Sequence, residues 1–201
     1  MNIGKIRIGL WLLVGLAALA GLVIALRPMP ADAPIASSGS LIEIGGPFTL
    51  TGTDGKPFSS ERLAGKPFAL FFGFTSCPDV CPTTLARLTR LRTELGKSDE
   101  SFAIVLVSVD PERDTPAAMA RYAGLFGTPV IALTGSAAAI EQVKKQFGVY
   151  SAKVPAAGGD YLIDHTATVF LLDRAGKFTA TISPNEGDDA ARAKLQRLIG
   201  N

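Results

Sequence analysis

The segment Phe68–Phe74 (FALFFGF) restricts the fold more than any other part of the chain. It is a continuous apolar run, bounded by Gly65-Lys66-Pro67 on one side and Thr75-Ser76 on the other. A run this short is not typical of a helix, and an apolar run without alternation indicates a strand buried on both faces. Such a strand lies inside a sheet with a layer packed on each side. The chain is therefore expected to fold around a sheet whose two faces are both covered.

Strands and helices alternate beyond this segment. A second buried strand is predicted at Phe102–Val109, and a third, short strand at Val130–Leu133. A stretch with apolar residues at helical spacing follows each of the three strands. These stretches begin with residues that favour helix starts, namely Pro82, Thr115-Pro116 and Ser136.

Hairpins are predicted near both ends of this domain. The first spans residues 48–58, with Asp54-Gly55 at its turn, and the last joins Thr166–Leu172 to Phe178–Ser183. A Gly/Pro loop at Val154–Gly159 precedes the last hairpin, and an amphipathic helix beginning near Asp188 follows it. The resulting fold class is α/β, with the element order of a thioredoxin fold that carries an N-terminal β-hairpin extension and one added strand-helix unit.

An apolar run at Ile8–Leu26 precedes the domain. Its 19 uncharged residues would form a helix about 28 Å long, which predicts one transmembrane helix. Lys5 and Arg7 favour a cytoplasmic N-terminus, so the domain is expected on the outer side. The alternative is a cleaved signal peptide with a site at Ala31-Asp32-Ala33, although the run is longer than usual for one. The predicted organisation is an anchor at residues 1–27, a linker at 28–44 and the domain at 45–201.

Charge argues against a polyanionic partner. The formal net charge is +2 over 201 residues, which gives no field strong enough to hold nucleic acid. Arg87, Arg90 and Arg92 lie close together on the first helix and are expected to form a solvated face.

The only two cysteines, Cys77 and Cys81, lie in Thr75–Pro82 (TSCPDVCP), between the buried strand and the first helix. A helix N-terminus offers free N–H groups and a partial positive charge, which favour thiolates. An exported domain also permits a disulfide, but closing so short a loop constrains the unfolded chain little. The pair is therefore predicted to be chemically active, as metal ligands or as a redox couple.

His165, the only histidine, lies at the entry to the last hairpin. In a thioredoxin-like fold this entry faces the cysteine loop, so Cys77, Cys81 and His165 are expected to form a three-ligand site. Zinc would need a carboxylate or water as a fourth ligand, whereas two thiolates and an imidazole suit both Cu(I) and Cu(II). Asp164 is expected on the opposite face of an extended segment, and its role stays open.

Several motifs occur together in this chain: Phe71–Pro82, Ser108–Pro116, Leu133–Gly135, Asp160–Thr166 and Asp173–Gly176. The set resembles the Sco/SenC family, which are membrane-anchored, thioredoxin-like copper chaperones of cytochrome c oxidase assembly. The resemblance implies that Cys77, Cys81 and His165 bind copper, as Cu(I) and Cu(II). It also implies delivery to the dinuclear CuA site in subunit II of the oxidase, a periplasmic copper donor protein, and a single-pass location in the bacterial inner membrane with the domain in the periplasm.

A second hypothesis is a membrane-anchored thiol-disulfide oxidoreductase that reduces the cysteines of the target site with Cys77 and Cys81. That activity needs no histidine ligand, whereas a copper site needs all three residues. The spacing Cys77-x-x-x-Cys81 is one residue longer than the usual redox C-x-x-C, which favours metal. In the 108–116 motif, Arg113 and Asp114 are expected to have structural roles in a strand end and turn, with Thr115 as the helix cap.

Overall fold

A computed structural model describes Trp11, Leu16, Leu19 and residues 44–96 and 101–200. The chain divides into two compact units, residues 1–41 and 42–201, and the fold described below is that of the second. Apart from three isolated positions, the predicted transmembrane run Ile8–Leu26 lies outside the described residues, as does nearly all of the predicted linker. Among the described residues, no helix has the length and apolar character needed to cross a membrane.

A mixed sheet forms the centre of residues 44–96 and 101–200. The strands are β1 Thr49–Gly52, β2 Pro57–Ser59, β3 Phe68–Gly73, β4 Ala103–Ser108, β5 Ile131–Thr134, β6 Ser151–Pro155, β7 Tyr161–His165, β8 Val169–Leu172 and β9 Phe178–Ile182. Seven of these strands pair in the order β2-β1-β5-β4-β3-β8-β9, while β6 and β7 form a separate two-stranded sheet. The first pair, β1 and β2, confirms the predicted N-terminal hairpin.

Strands β3 and β4 lie at the centre of the domain, and every residue in them is buried. They pair in parallel from Phe68 opposite Ala103 to Gly73 opposite Ser108, and β3 pairs antiparallel with β8 on its other side. Runs without alternation are expected where helices cover both faces of a sheet. The two buried strands predicted from the apolar runs are confirmed.

Within residues 44–96 and 101–200, four α-helices pack around the sheet, with bounds α1 Val80–Glu94, α2 Pro116–Ala123, α3 Ala137–Phe147 and α4 Asp188–Gly200. Two of the predicted caps are present: the hydroxyl of Thr115 accepts from the N–H of Ala118, and that of Ser136 from the N–H of Ala139, both at 3.2 Å. Helix α1 begins at Val80, so Pro82 stands slightly inside the helix instead of at its first position. The cysteine motif therefore extends into the first turn of α1.

The expected solvated arginine face of α1 is wrong for Arg92, which is 2% exposed. Its guanidinium donates to the carbonyl oxygens of Phe102 at 3.4 Å and Pro129 at 3.1 Å, and also to the Thr128 hydroxyl. It also lies over the Phe102 ring. A buried charge needs such partners, and Arg92 finds them where the chain enters β4 and β5. Arg87 and Arg90 instead bind Asp188 at the start of α4.

The β6–β7 hairpin includes residues that were predicted as a loop, and the strand predicted after it begins later than expected. The loop expected at Val154–Gly159 is in fact the end of β6 followed by a short 3-10 turn, and the strand expected from Thr166 begins only at Val169. The reason lies at Thr166: its N–H donates to the carbonyl of Tyr150 and its hydroxyl accepts from the Tyr150 N–H. These bonds tie Thr166 to the hairpin, so the chain must turn before it joins the main sheet.

Arg92→Ala is expected to lower the free energy of unfolding by about 3 kcal/mol, because buried carbonyl groups lose their charged donor. Chemical denaturation followed by circular dichroism measures this change. Arg90→Ala is the matched control on the same helix, since the Arg90 side chain is 47% exposed, and it should change stability far less. Equal effects of the two variants would contradict the structural role given to Arg92.

Candidate metal centre

The side chains of Cys77, Cys81 and His165 meet at one end of the central sheet. Their potential ligand atoms all lie within 4.8 Å of one another. Cys81 Sγ lies 3.5 Å from His165 Nε2, although the two residues are 84 positions apart in the sequence. Within the described part of the chain, no Asp or Glu joins this group. The convergence predicted from the sequence is therefore present.

The cysteine loop connects β3 to α1. The N–H of Cys77 donates to the carbonyl of Phe74 at 3.2 Å, which turns the chain after the strand. The N–H of Cys81, in the first turn of α1, points at the sulfur of Cys77 over 3.4 Å. Cys77 is half-buried, Cys81 is fully buried, and both are free thiols. The expected contact between a sulfur and the positive end of the helix is made by Cys77.

Burial gives Cys81 a different character from the one expected. It raises the pKa of the Cys81 thiol far above its ordinary value, and the hydrogen bond with Cys77 raises it further. Desolvation disfavours the charged form of any thiol. Without a cation beside it, Cys81 is thus a neutral thiol, contrary to the expectation of two thiolates at the helix end. A bound metal ion would reverse this, because coordination displaces the thiol proton.

Gly73, the last residue of β3, makes room for the Cys81 sulfur. A Cβ atom at this position would lie 2.9 Å from Cys81 Sγ and 2.9 Å from the ring of Phe71. Both distances are too short for ordinary contact. No sequence pattern identifies this role, because a glycine inside an apolar run occurs at bulges as well as at close backbone approaches.

His165 is held with one ring nitrogen facing the cysteines. Its Nδ1 lies 3.0 Å from the carbonyl oxygen of Thr166. A carbonyl only accepts, so Nδ1 carries the proton and Nε2 presents its lone pair toward Cys81. The rings of Phe71 and Phe74 pack against the imidazole at centroid distances of 6.1 and 5.8 Å. Burial lowers the pKa of His165, which favours the neutral, ligating form.

Asp164 is exposed on the other face of β7, opposite Ala152 of β6. This is the orientation expected for a neighbour of His165 on an extended strand. It places the carboxylate away from the sulfur atoms. Asp164 is accordingly outside the group of ligand atoms.

Asp114 fixes the start of the cysteine loop through hydrogen bonds with Thr75. Its fully buried carboxylate accepts hydrogen bonds from the N–H of Thr75 at 3.2 Å, from the Thr75 hydroxyl at 2.6 Å and from the Ser108 hydroxyl at 2.6 Å. Burial raises the pKa of the Asp114 carboxyl, while these donors lower it. The structural role expected for Asp114 is present, and it acts directly on the loop that carries Cys77.

A central strand that delivers two thiols to a helix N-terminus, with an imidazole facing them from a separate hairpin, defines a thioredoxin-like protein with a Cys-Cys-His ligand set. The chain belongs to the SCO1/SenC family, whose family model matches residues 37–200. The predicted family and the thioredoxin-like α/β fold are both confirmed.

Known relatives cover most of this chain. The SCO2-like protein RP587 of Rickettsia prowazekii is 37% identical over 183 residues, which is 88% of this chain and 88% of the relative. The structure of Bradyrhizobium japonicum ScoI with copper bound is 42% identical, with a TM-score of 0.70 over 77% of this chain and 99% of that one. BsSco, described as a member of the Sco family of cytochrome c oxidase assembly proteins with a disulfide switch, is 28% identical, with a TM-score of 0.61 over 78% of this chain and 94% of its own.

Gly73→Ala is expected to destabilise the metal-free protein by about 1–3 kcal/mol, because the added methyl group overpacks the contact with Cys81 and Phe71. Thermal or urea unfolding measures the loss. Gly124→Ala is the matched control, since Gly124 has an ordinary helical backbone and no atom within 4 Å of an added Cβ. If Gly73→Ala is as stable as Gly124→Ala, the site has room for the added methyl group, and the expected overpacking against Cys81 and Phe71 is wrong.

The metal-free protein should lose stability through His165 as the pH falls. The folded-state pKa of His165 lies below the unfolded value of about 6.5, so acid protonates the unfolded chain first. The contribution is absent above about pH 7, and the loss grows from about pH 6.5 down to the folded-state pKa, below which it is constant. Stability curves of the wild type and His165→Gln, subtracted from each other, isolate this effect from other groups. A difference that does not vary between pH 7 and 5 would contradict it.

Proposed function

We propose that this chain binds one copper ion as cargo through Cys77, Cys81 and His165 and hands it to the dinuclear CuA site in subunit II of cytochrome c oxidase. The observation that carries the proposal is the convergence of two sulfur atoms and one imidazole nitrogen within 4.8 Å. Thiolates select Cu(I), and imidazole suits both oxidation states of copper. A closed zinc site would need a fourth protein ligand, and the described residues supply none in this group. The copper-bound ScoI relative supports the choice of metal.

Unequal exposure of the ligands suits transfer of the cargo. Cys77 and His165 are both half-buried, whereas Cys81 is fully buried. A ligand of the receiving protein would therefore approach from the side that Cys77 and His165 share, while Cys81 still holds the ion. Loading is coupled to loss of the Cys81 proton, because the buried thiol is neutral without a cation. The role in oxidase assembly is supported by the description of BsSco.

The copper proposal predicts a specific loss in variants. The full chain, reduced and loaded without oxygen, is expected to retain about one copper per chain and to show thiolate-to-copper absorption once oxidised. His165→Ala should weaken copper binding and change this absorption. Cys77→Ser or Cys81→Ser should abolish copper binding. Metal analysis and absorption spectra measure both. If the wild type holds no copper under these conditions, the chaperone function is wrong.

A thiol-disulfide oxidoreductase remains the second candidate, because both cysteines are free thiols with their sulfur atoms close together. The disulfide switch described for the relative BsSco favours it. The reaction would oxidise Cys77 and Cys81 to a disulfide while two cysteines of the target protein are reduced. His165→Ala separates the functions in the experiment above. Reduction of a model disulfide at wild-type rate by His165→Ala, with no copper bound by either protein, would support the oxidoreductase.

The site is proposed to act at the outer face of the bacterial inner membrane, where a periplasmic donor protein would supply copper. The 19-residue uncharged run at Ile8–Leu26, preceded by Lys5 and Arg7, supports a single-pass anchor with the domain in the periplasm. Alkaline phosphatase fused after the last residue should be active in cells, and the mature protein should begin at its original N-terminus. A mature chain that begins at Pro34 would instead indicate a cleaved signal peptide.

A further inference from the structure

The strand that carries His165 is not paired with the main sheet. Strands β6 and β7 form their own two-stranded sheet. The position of His165 over the cysteine loop is therefore set by contacts of this hairpin and not by strand pairing with β3 or β8. At the His165 end, two hydrogen bonds between Tyr150 and Thr166 close the hairpin itself. Buried Ile163 in the middle of β7 and the ion pair of Lys153 with Glu112 hold the hairpin to the rest of the domain. The other end of β7 is held at Tyr161.

Two residues of the turn after β4, Asp110 and Arg113, contact Tyr161 at its hydroxyl, its ring and its backbone carbonyl. The Arg113 guanidinium lies 3.8 Å from the centre of the Tyr161 ring, and its Nη1 donates to the Tyr161 carbonyl at 3.0 Å. The Tyr161 hydroxyl donates to Asp110 at 2.9 Å, and Arg113 pairs with the same Asp110 carboxylate. Arg113 also reaches Asp160 at 3.0 Å. We refer to Asp110, Arg113 and Tyr161 as the Tyr161 clamp.

Asp110 and Arg113 of the clamp belong to the same turn, residues 110–114, whose Asp114 binds the cysteine loop. Asp110 is 1% exposed, and its carbonyl accepts from the N–H groups of Arg113 at 3.2 Å and Asp114 at 2.9 Å. These bonds close residues 110–114 into a tight turn. Asp114 then binds Thr75 at the start of the cysteine loop. One turn thus contacts both halves of the metal site.

Tyr161 and His165 lie on the same face of β7, since side chains alternate along a strand. At about 3.3 Å per residue they are about 13 Å apart. A rigid strand anchored at Tyr161 fixes the direction in which His165 points. Release of that anchor would let β7 shift and twist along its length, so that the imidazole at its other end would no longer be held in one direction toward Cys81.

We propose that Arg113 is a positioning residue for His165, acting through Tyr161 to keep the imidazole facing the two sulfur atoms. Arginine suits this task better than lysine, because its planar group stacks on a ring while donating in two directions. The expected structural role of Arg113 is thereby made specific to the site. The inference deepens the proposed copper function and rests on it only for the copper measurement described below.

The first test needs no metal. The chain has one histidine, so its imidazole signals in NMR spectra of the full chain are unambiguous. The wild type should show nuclear Overhauser contacts from this ring to Phe71 and Phe74. Arg113→Ala and Arg113→Lys should lose these contacts, and Tyr161→Phe, which keeps the ring, should retain most of them. Arg121→Ala, an exposed arginine on α2 outside the clamp, is the control and should match the wild type.

The second test uses copper itself. In Arg113→Lys, binding of Cu(I) by the two cysteines should persist, while affinity for Cu(II) should fall by about 10–100-fold, as for other residues that orient metal ligands. The electron paramagnetic resonance spectrum of the Cu(II) form should lose its imidazole nitrogen coupling, as in His165→Ala. A purely structural role would lower stability and leave this coupling unchanged.

The outcomes are distinct. Folded Arg113→Lys with wild-type contacts to Phe71 and Phe74 and an unchanged nitrogen coupling would overturn the positioning role. If Arg113→Ala fails to fold, Arg113→Lys decides, since it keeps a positive charge beside Asp110. A wild type that binds no copper would overturn the proposed function, but the metal-free NMR test of the clamp would still give its answer.

Discussion

The hydrogen bonds that Thr75 donates to the buried Asp114 carboxylate are the contact on which the rest of the site depends. They tie the cysteine loop, which leaves β3, to the turn that leaves β4. Because β3 and β4 are paired along their full length in the core, this turn is a fixed reference for the loop. The same turn grips the hairpin that carries the histidine. The central sheet therefore sets the ligand positions through one short segment of chain.

The ligand set combines a sheltered interior with one accessible edge. Cys81 is fully buried next to Gly73, whereas Cys77 and His165 are half-buried. His165 packs against two phenylalanine rings, and Cys77 lies where a helix N–H points at its sulfur. Two sulfur atoms and an imidazole nitrogen suit a soft metal ion. The partial exposure of Cys77 also permits thiol chemistry there.

Local sequence patterns predicted the central strands and the helix caps, and the thioredoxin-like element order predicted that Cys77, Cys81 and His165 come together. The buried runs at β3 and β4 and the caps at Thr115 and Ser136 depend only on neighbouring residues, so local sequence patterns are enough to predict them. Arg92 was misjudged because its burial depends on carbonyl groups that come together only when α1 packs over the strands. The β6–β7 hairpin was missed because glycines and a proline at its turn mask two short strands. The membrane anchor stays a prediction.

The ligand pair that comes from the cysteine motif is complete early in the chain, but its third partner follows 84 residues after Cys81. An unfinished or misfolded chain offers two thiols with no imidazole held over them. Ligand geometry of this kind is a product of completed tertiary structure, because β4, the 110–114 turn and β7 must all be in place. Only the completely folded domain therefore presents all three side chains to a metal ion. An incomplete chain presents the two thiols without the imidazole.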